Sequence, residues 1–381
     1  MVKFATTKNN SLMKIKLTVL MLVGFLTFLK SQIVNIPDAN FKAYLISNPQ
    51  INTNNDSQIQ ISEAVAFTGA ISCNGRNIIS LTGIEAFVNI TSLSFTQNQV
   101  TNLDISKNTS LTYLDCSVNQ LTSLDISKNL ALKNLFCFNN LLTNLDITKN
   151  ISLTQLATYK NPLTTLNVTQ NYALQTLICY DNQLTNLDVT KNLALKELYC
   201  YRNQITTLNL NNNLQLAKLS CDENKLEFLD LSKNTALTDV WCDQNLIRIL
   251  NLKNGQNPKI INLDATNNGS GTCIVVDNVV NAYSYSGWKK DATAGYDLYC
   301  TLAINETSKK EISLFPNPAK ENITFSEEIS NIKITDLSGK IIKQISNSEK
   351  SINVSKLVKG TYIITATSKS GELINKKFIK E

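Results

Sequence analysis

Apolar positions in the middle of the chain recur at every twenty-first residue. One series is all leucine: Leu103, Leu124, Leu145, Leu166, Leu187, Leu208, Leu229 and Leu250. A second series with the same period runs from Leu93 to Val240. A fixed period of this length is typical of a repeat protein in which each unit forms one coil of a solenoid.

Each unit contains two short segments in which inward and outward positions alternate. If residues 132–152 are numbered 1 to 21, the apolar side chains stand at positions 4 and 6 and again at positions 14 and 16. Alternation with a period of two indicates a β-strand with one buried face. The pattern therefore predicts two short strands per coil, pairing in parallel with neighbouring coils about 4.8 Å away.

Asparagine and cysteine occupy fixed inward positions of the unit. Asn recurs at position 9 in all eight units, from Asn98 to Asn245, and at position 19 in seven, from Asn108 to Asn234. A side-chain amide can bond both a turn and the next coil, so we expect these residues to be structural.

Six units have Cys at position 6, and Cys73 shares this phase. A coil spacing of about 4.8 Å exceeds the roughly 3.8 Å that a disulfide prefers between β-carbons, which favours buried thiols.

The unit reads LxxLxCxxNxLxxLxIxxN and resembles the leucine-rich repeat of the short, nested bacterial type. The resemblance covers residues 90–257 in eight units, and we place the whole array at residues 71–257. It implies a leucine-rich-repeat solenoid of parallel β-structure with short strands on both sides of each coil. A small helical cap should precede the array, and an antiparallel β-sandwich should follow it.

Two readings of the outward position 15 remain open. Stacked carboxylates of Asp104, Asp125, Asp146, Asp188 and Asp230 could bind calcium. However, every unit with Asp at position 15 has Lys at position 18, and every unit with Asn there has a neutral residue. Because the charges come and go in pairs, we favour a solvated face on which Asp and Lys compensate each other.

The outward positions 5 and 7 of the first strand are rich in aromatic residues, whereas positions 15 and 17 have none. The residues predicted to form a ligand-binding surface are Phe136, Phe138, Tyr159, Tyr180, Tyr199, Tyr201 and Trp241. Aromatic surfaces with a charged border are common in protein and sugar recognition alike. The alternative is that these residues simply suit strands or pack beneath another domain.

The N-terminal region has two predicted parts. Residues 1–31 are typical of a signal peptide, with lysines before an apolar run, Leu17 to Leu29, that is too short to span a membrane. We therefore expect no transmembrane segment in the mature chain. Residues 32–70 should form a cap of two short helices, with Asp38 near the start of the first.

The loop between these helices has the spacing of an EF-hand. Its predicted ligands for a weak calcium site are Asn52, Asn54, Asp56, Gln58 and Glu63. The loop departs from the motif because Asn52 replaces the first Asp and Ser57 replaces the turn Gly. A degenerate structural turn without metal is the other possibility, and no other cofactor is indicated.

Residues 258–309 should form a C-terminal cap and linker in which Cys273 and Cys300 form a disulfide, as expected in an exported protein.

Residues 310–381 have a different pattern, typical of antiparallel strands with Gly at the turns. They resemble the type A C-terminal sorting domain of the type IX secretion system of the Bacteroidetes. The matching residues are Pro316, Asn317, Pro318, Gly339, Leu357, Gly360, Tyr362, Gly371, Lys376, Lys377 and Phe378. The resemblance implies the outer-membrane secretion machinery as a partner and a final location outside the cell or on its outer surface.

Composition narrows the functional classes. The chain has no His, which excludes catalytic triads and zinc sites that use imidazole. Removing the predicted signal peptide takes away five lysines and lowers the formal net charge from +6 to +1, so nucleic acid is not an expected partner. We predict a secreted or surface-attached binding or adhesion protein, not an enzyme, that recognises an extracellular protein or glycan. A passive spacer without a ligand is the alternative.

Overall fold

The computed structural model describes residues 32–300, 312–336, 340–369 and 373–381. The chain divides into two compact units, with the boundary after Leu302. The predicted signal peptide at residues 1–31, residues 301–309 of the predicted cap and linker, and the motif residues Gly339 and Gly371 lie outside the described residues.

The first unit opens with helix α1 (Ala39–Ile46) and helix α2 (Ile61–Ala66). Asp38 caps α1, since its Oδ1 accepts from the backbone N–H groups of Asn40 and Phe41, both at 2.9 Å. Its Oδ2 accepts from the N–H of Ile79 at 2.8 Å. One carboxylate thus caps the helix and also fastens it to the first coil.

Eleven parallel strands form the main sheet of this unit, one from each successive coil. They are β1 (Ala70–Ser72), β2 (Ser92–Ser94), β3 (Tyr113–Asp115), β4 (Asn134–Phe136), β5 (Gln155–Ala157), β6 (Thr176–Ile178), β7 (Glu197–Tyr199), β8 (Lys218–Ser220), β10 (Asp239–Trp241), β12 (Asn262–Ala265) and β14 (Trp288–Lys290). Equivalent positions pair directly, for example Leu135 with Leu156. This in-register parallel solenoid confirms the predicted fold class.

The second side of the coils differs in one respect from the prediction. Within residues 32–300, strands occur there only in the last coils, as β9 (Phe228–Asp230), β11 (Ile249–Asn251), β13 (Cys273–Val275) and β15 (Gly295–Asp297). Side chains of position 19 link successive coils on this side, both in the earlier coils and in the coil that contains β9. Asn150 Nδ2, for example, donates to the oxygens of Ile126 at 3.1 Å and Asn129 at 2.9 Å in the preceding coil. These amide bonds reach the carbonyls of positions 16 and 19, just beyond the segment in which a strand was predicted.

The main sheet also continues beyond residue 257, into the region predicted as cap and linker. Val240 pairs with Leu263, and Leu263 pairs with Trp288, so these coils are longer than the repeat unit of the array. The extra length includes a short helix, α3 (Val279–Ala282). Longer coils break the sequence period but still add strands to the sheet. A disulfide joins Cys273 in β13 to Cys300, with the Cα atoms 5.9 Å apart.

The core of the solenoid is built from the inward positions of both segments. Position 6 supplies a row of free, buried thiols: Cys116, Cys137, Cys179, Cys200, Cys221 and Cys242, with Cys73 two coils before Cys116. Burial raises the pKa of Cys137 and Cys179 to about 12, so these side chains stay protonated and act as small apolar groups.

The Asn side chain at position 9 joins each turn to the preceding coil by hydrogen bonds. Asn140 Nδ2 donates to the carbonyl oxygens of Cys116 at 3.0 Å and Cys137 at 3.1 Å, and its Oδ1 accepts from the N–H of Leu121 at 2.9 Å. The same pattern recurs along the array, so the buried amide satisfies backbone groups of two coils at once.

The second unit is an antiparallel sheet. Its strands are β16 (Leu314–Phe315), β17 (Asn322–Asp336), β18 (Ile341–Ile345), β19 (Glu349–Asn353), β20 (Gly360–Ser368) and β21 (Leu373–Lys380). The motif residues hold it together. Asn317 Oδ1 accepts from the N–H of Ile379 at 2.8 Å, and the buried rings of Tyr362 and Phe378 stack with centroids 5.5 Å apart.

Candidate binding face of the parallel sheet

Four rings at position 7 form a continuous stack along the sheet, which we call the aromatic column: Phe138, Tyr159, Tyr180 and Tyr201. Successive ring centroids are 4.2, 4.3 and 4.2 Å apart, and the planes differ by 9°, 16° and 9°. The in-register pairing of strands explains this geometry, because it repeats equivalent positions at a spacing close to that of stacked rings.

A second column lies beside the first at position 5 of the same coils. This apolar column consists of Phe136, Ala157, Ile178 and Tyr199, which pair in register on β4 to β7. Trp241, predicted as part of the same surface, is not adjacent to it. Ser220 on β8 stands between Tyr199 and Trp241 in the register.

Sequence reasoning missed one ring at the edge of this face. Tyr113 lies at position 3 of the coil before Phe136, and the two ring centroids are 5.6 Å apart at an interplanar angle of 53°. An aromatic residue one coil before the column, on the same strand face, was the signal that could have identified it. The aromatic face therefore begins at β3 and not at β4.

The seven predicted surface residues are half-buried, not exposed. The rings of the column cover one another, so solvent meets mainly their edges and hydroxyl groups. Burial, followed by the neighbouring Tyr180 hydroxyl, raises the pKa of Tyr159 to about 12. Its hydroxyl is therefore protonated at neutral pH and can donate a hydrogen bond to a ligand.

A row of residues with alternating charges borders the aromatic column at position 8. Its members are Lys160, Asp181, Arg202 and Glu223, all with a left-handed backbone at φ 50° to 54°. Arg202 Nε lies 2.8 Å from Glu223 Oε1 and 3.9 Å from Asp181 Oδ1. This border largely neutralises itself.

Two carboxylates continue the line of the aromatic column at position 7 of the next coils. Asp222 and Asp243 are half-buried. Burial raises the pKa of both carboxyl groups. Ser220 Oγ donates to Asp222 at 2.6 Å, and Gln244 Nε2 donates to Asp243 at 3.3 Å. Within the described residues, neither carboxylate has a cationic side chain within 4 Å.

The exposed Asp residues of position 15 have a local role that the sequence analysis did not include. Asp146 Oδ1 accepts from the N–H of Thr148 at 2.9 Å and from its hydroxyl at 2.6 Å. These bonds, more than the nearby Lys149, lower the pKa of Asp146. In the described part of the chain, no position-15 Asp lies within 4 Å of a lysine ammonium. Asn167 accepts the same two bonds from Thr169, so a side-chain oxygen at position 15 closes the turn whether the residue is Asp or Asn.

A row of exposed apolar residues at position 20 was also missed. Its members are Leu130, Ile151, Tyr172, Leu193 and Leu214, each 54 to 58% exposed. They stand directly after the buried Asn of position 19, in five successive coils. The period of this row was visible in the sequence, but its neighbours gave no indication that it faces solvent.

The predicted calcium ligands lie together in the loop between α1 and α2. Asn54 Oδ1 accepts from the N–H of Asp56 at 2.9 Å, and Asp56 Oδ1 accepts from the N–H of Gln58 at 2.7 Å. Gln58 Oε1 accepts from the Lys42 ammonium at 2.8 Å. These oxygens already have donors, and one of the donors is a cation.

Glu63 closes the same loop. Its Oε1 accepts from the N–H of Thr53 at 2.8 Å and of Asn54 at 3.2 Å, and its Oε2 accepts from the N–H of Gln60 at 3.0 Å. Asn52 Oδ1 is buried without a donor among the described residues. Most of the predicted ligand oxygens thus accept hydrogen bonds from within the loop, which fits a turn closed by its own hydrogen bonds better than a cation site. Calcium binding stays a prediction.

The repeat, the register and the inward Asn positions define the first unit as a leucine-rich-repeat solenoid. Residues 313–381 match the family described as "Secretion system C-terminal sorting domain". The chain therefore combines a leucine-rich-repeat array with a sorting domain for secretion, as the sequence predicted. No helix in the described ranges is both long and apolar enough to span a membrane.

Several solved structures resemble the chain. The functional domain of InlJ from Listeria monocytogenes, described as including a cysteine ladder, is 23% identical, covers 92% of this chain and 98% of its own, and gives a TM-score of 0.49. An internalin from the same organism is 18% identical over 69% of this chain and 92% of its own, with a TM-score of 0.44. A leucine-rich-repeat protein of Leptospira interrogans is 22% identical over 56% of this chain and 64% of its own, with a TM-score of 0.44. No curated protein matches the sequence significantly.

Proposed function

We propose that this protein is exported and binds an extracellular macromolecule, a protein or a glycan, through the aromatic and apolar columns of its main sheet. The observation that carries the proposal is the aromatic column beside the apolar column: eight side chains in four successive coils, without a charged group among them. Aromatic and apolar surface gathered at one place, with polar surroundings, is typical of an interface core.

The sorting domain supports the location that this function requires. A domain of this kind is handled by a secretion system, and it favours release from the cell or attachment at the outer surface. The secretion machinery is then a transient partner of the second unit, separate from the ligand of the first. We propose no catalytic role, because the columns contain no nucleophile paired with a base.

Binding of purified chain 32–381 to panels of extracellular proteins and glycans tests the proposal. The informative variant changes Phe138, Tyr159, Tyr180 and Tyr201 to Thr, which already occupies position 7 at Thr96. Its matched control changes Leu130, Ile151, Leu193 and Leu214 to Thr, which occupies position 20 at Thr109 and Thr235. Both variants lose four large apolar groups, but from different surfaces.

The proposal predicts specific binding by the parent and the control and none by the column variant, with all three proteins folded by circular dichroism. If the parent binds nothing, or if the column variant binds as well as the parent, the columns are structural. The passive spacer is then the better description. Loss of binding only in the position-20 variant would instead assign the interface to the exposed apolar row.

A further inference from the structure

The geometry of the aromatic column restricts what it can recognise. Sugar rings stack on the open face of an aromatic ring. In Tyr159 and Tyr180 both faces are covered, because neighbouring rings lie 4.2 to 4.3 Å away on either side. The inner part of the column therefore offers a ligand the edges and hydroxyl groups of its rings, which suit the irregular side chains of a protein better than a flat pyranose.

The carboxylates at the end of the column add a charge preference. Asp222 and Asp243 are half-buried, and each pKa is raised first by burial and further by nearby carboxylates. A partly buried carboxylate without a cation is destabilised, and a ligand that supplies the cation relieves that cost.

Nearby cations of the chain are already engaged. Arg202 is held by Glu223 at 2.8 Å, and Lys289 lies 3.6 Å from Asp264. Trp241, whose register partners at position 5 are Ser220 and Asp264, projects from the same sheet face as Asp222 and Asp243. An incoming ammonium or guanidinium group would therefore meet two carboxylates next to an indole ring, which also attracts cations.

We infer that the ligand is a protein whose docking segment places a Lys or Arg side chain on Asp222 and Asp243 and packs apolar side chains on the adjacent columns. This inference rests on the proposed function and narrows its ligand class from protein or glycan to a cationic protein surface. The supporting argument is charge complementarity between a cationic ligand and two carboxylates that have no cationic partner among the described residues, beside an apolar surface on the same sheet face.

Three acetylated octapeptides serve as probes: alternating Leu and Lys, alternating Leu and Glu, and alternating Leu and Ser. Each is immobilised, and binding of chain 32–381 is measured by biolayer interferometry at low and high salt. The test variant is D222N/D243N. The matched control is D125N/D146N, which removes the same charge from position 15, where Asn167 shows that Asn is tolerated.

The inference predicts that the Leu and Lys peptide binds about tenfold more tightly than the Leu and Ser peptide, with the difference reduced at high salt. D222N/D243N should remove most of that difference, and D125N/D146N should not. Equal binding of the Leu and Lys and Leu and Ser peptides overturns the charge preference but leaves the apolar columns as a binding face. Preference for the Leu and Glu peptide, or equal loss in both double variants, also overturns it.

A separate result identifies failure of the proposed function itself. If the threonine variant of the aromatic column binds the Leu and Lys peptide as well as the parent, the columns are not the interface. Binding of neutral glycans with no binding of any of the three peptides overturns the inference while the proposed function stands. Melting temperatures of the double variants within about 3 °C of the parent exclude unfolding as the cause of any loss.

Discussion

The ring of Tyr180 stacks on the ring of Tyr159 with a centroid distance of 4.3 Å and an angle of 16° between the planes, although a whole coil of the chain separates them. Tyr201 covers the other face of Tyr180 at 4.2 Å. The stack exists because each coil repeats the backbone of the one before it. It determines what the binding face can offer a ligand, and it links neighbouring coils on the outside of the sheet.

We predict direct energetic coupling along the column. In a double-mutant cycle, Tyr159→Ser and Tyr180→Ser should couple by about 1 kcal/mol of unfolding free energy, since aromatic pairs contribute about 0.5–1.5 kcal/mol beyond burial. Tyr159→Ser and Tyr201→Ser, which alter rings that do not touch, should couple by less than about 0.5 kcal/mol. Urea denaturation measures both cycles. Equal coupling in the two cycles would show that stacking is not the interaction that joins these residues.

The position-19 amides should be sensitive to the loss of their donors. Asn150 is fully buried, and its Nδ2 donates to two carbonyls of the preceding coil. Asn150→Asp keeps the shape but removes both N–H donors, so we expect a loss of at least about 3 kcal/mol in unfolding free energy. Asn144→Asp, at an exposed position of the same coil, should cost less than about 0.5 kcal/mol. Similar values for the two variants would contradict the assigned role.

The turn role of position 15 can be separated from an ion-pair role. Asp146→Asn retains the oxygen that accepts from Thr148, as Asn167 does, and should change stability by less than about 0.5 kcal/mol. Asp146→Ala removes the acceptor and should cost about 1 kcal/mol. Thermal and urea unfolding report both. If Asp146→Asn is as harmful as Asp146→Ala, and Lys149→Ala matches them, the ion-pair reading of the sequence is restored.

Thiol labelling should test whether the free cysteines are buried in the native protein. Seven cysteines are free and buried, and burial raises the pKa of thiols such as Cys137 to about 12. Alkylation of the native protein at pH 8 should therefore be negligible, because thiolate is the reactive form. In urea without reductant, seven thiols should react, while the disulfide-bonded Cys273 and Cys300 should not. Rapid labelling of the native chain would refute the burial of this row.

The loop between the first two helices should be stable without metal. Glu63→Gln replaces a carboxylate that accepts from three backbone N–H groups, so we expect a cost of about 1–3 kcal/mol in unfolding free energy. Titration calorimetry with millimolar calcium should give no binding heat. Measurable heat that disappears in Asp56→Asn, a variant of another predicted ligand, would support the calcium hypothesis over the self-closed turn.

Several features could be predicted from the repeat because periodicity reports which side chains share a face. Leu135 and Leu156 lie one repeat period apart and pair in register, and Phe138 and Tyr159 follow the same rule. Other features could not be predicted, because they depend on how one coil contacts the next. Strand β9 forms at Phe228, whereas the equivalent segments of the earlier described coils are not strands, although their sequence pattern and their position-19 Asn bonds are nearly the same.

The sequence by itself determined the period, the inward positions, the solenoid and the sorting domain. Buried side chains and turns require particular residue types, and these recur at regular intervals along the sequence. Only the tertiary structure decided how the outward side chains are used. It closed the ring faces of Tyr159 and Tyr180 against their neighbours and turned Asp146 towards Thr148. Among the described residues, it also left Asp222 and Asp243 with no cationic side chain within 4 Å. The physical reason is that burial leaves a pattern along one chain segment, whereas contacts between outward side chains depend on distances set by the stacking of coils.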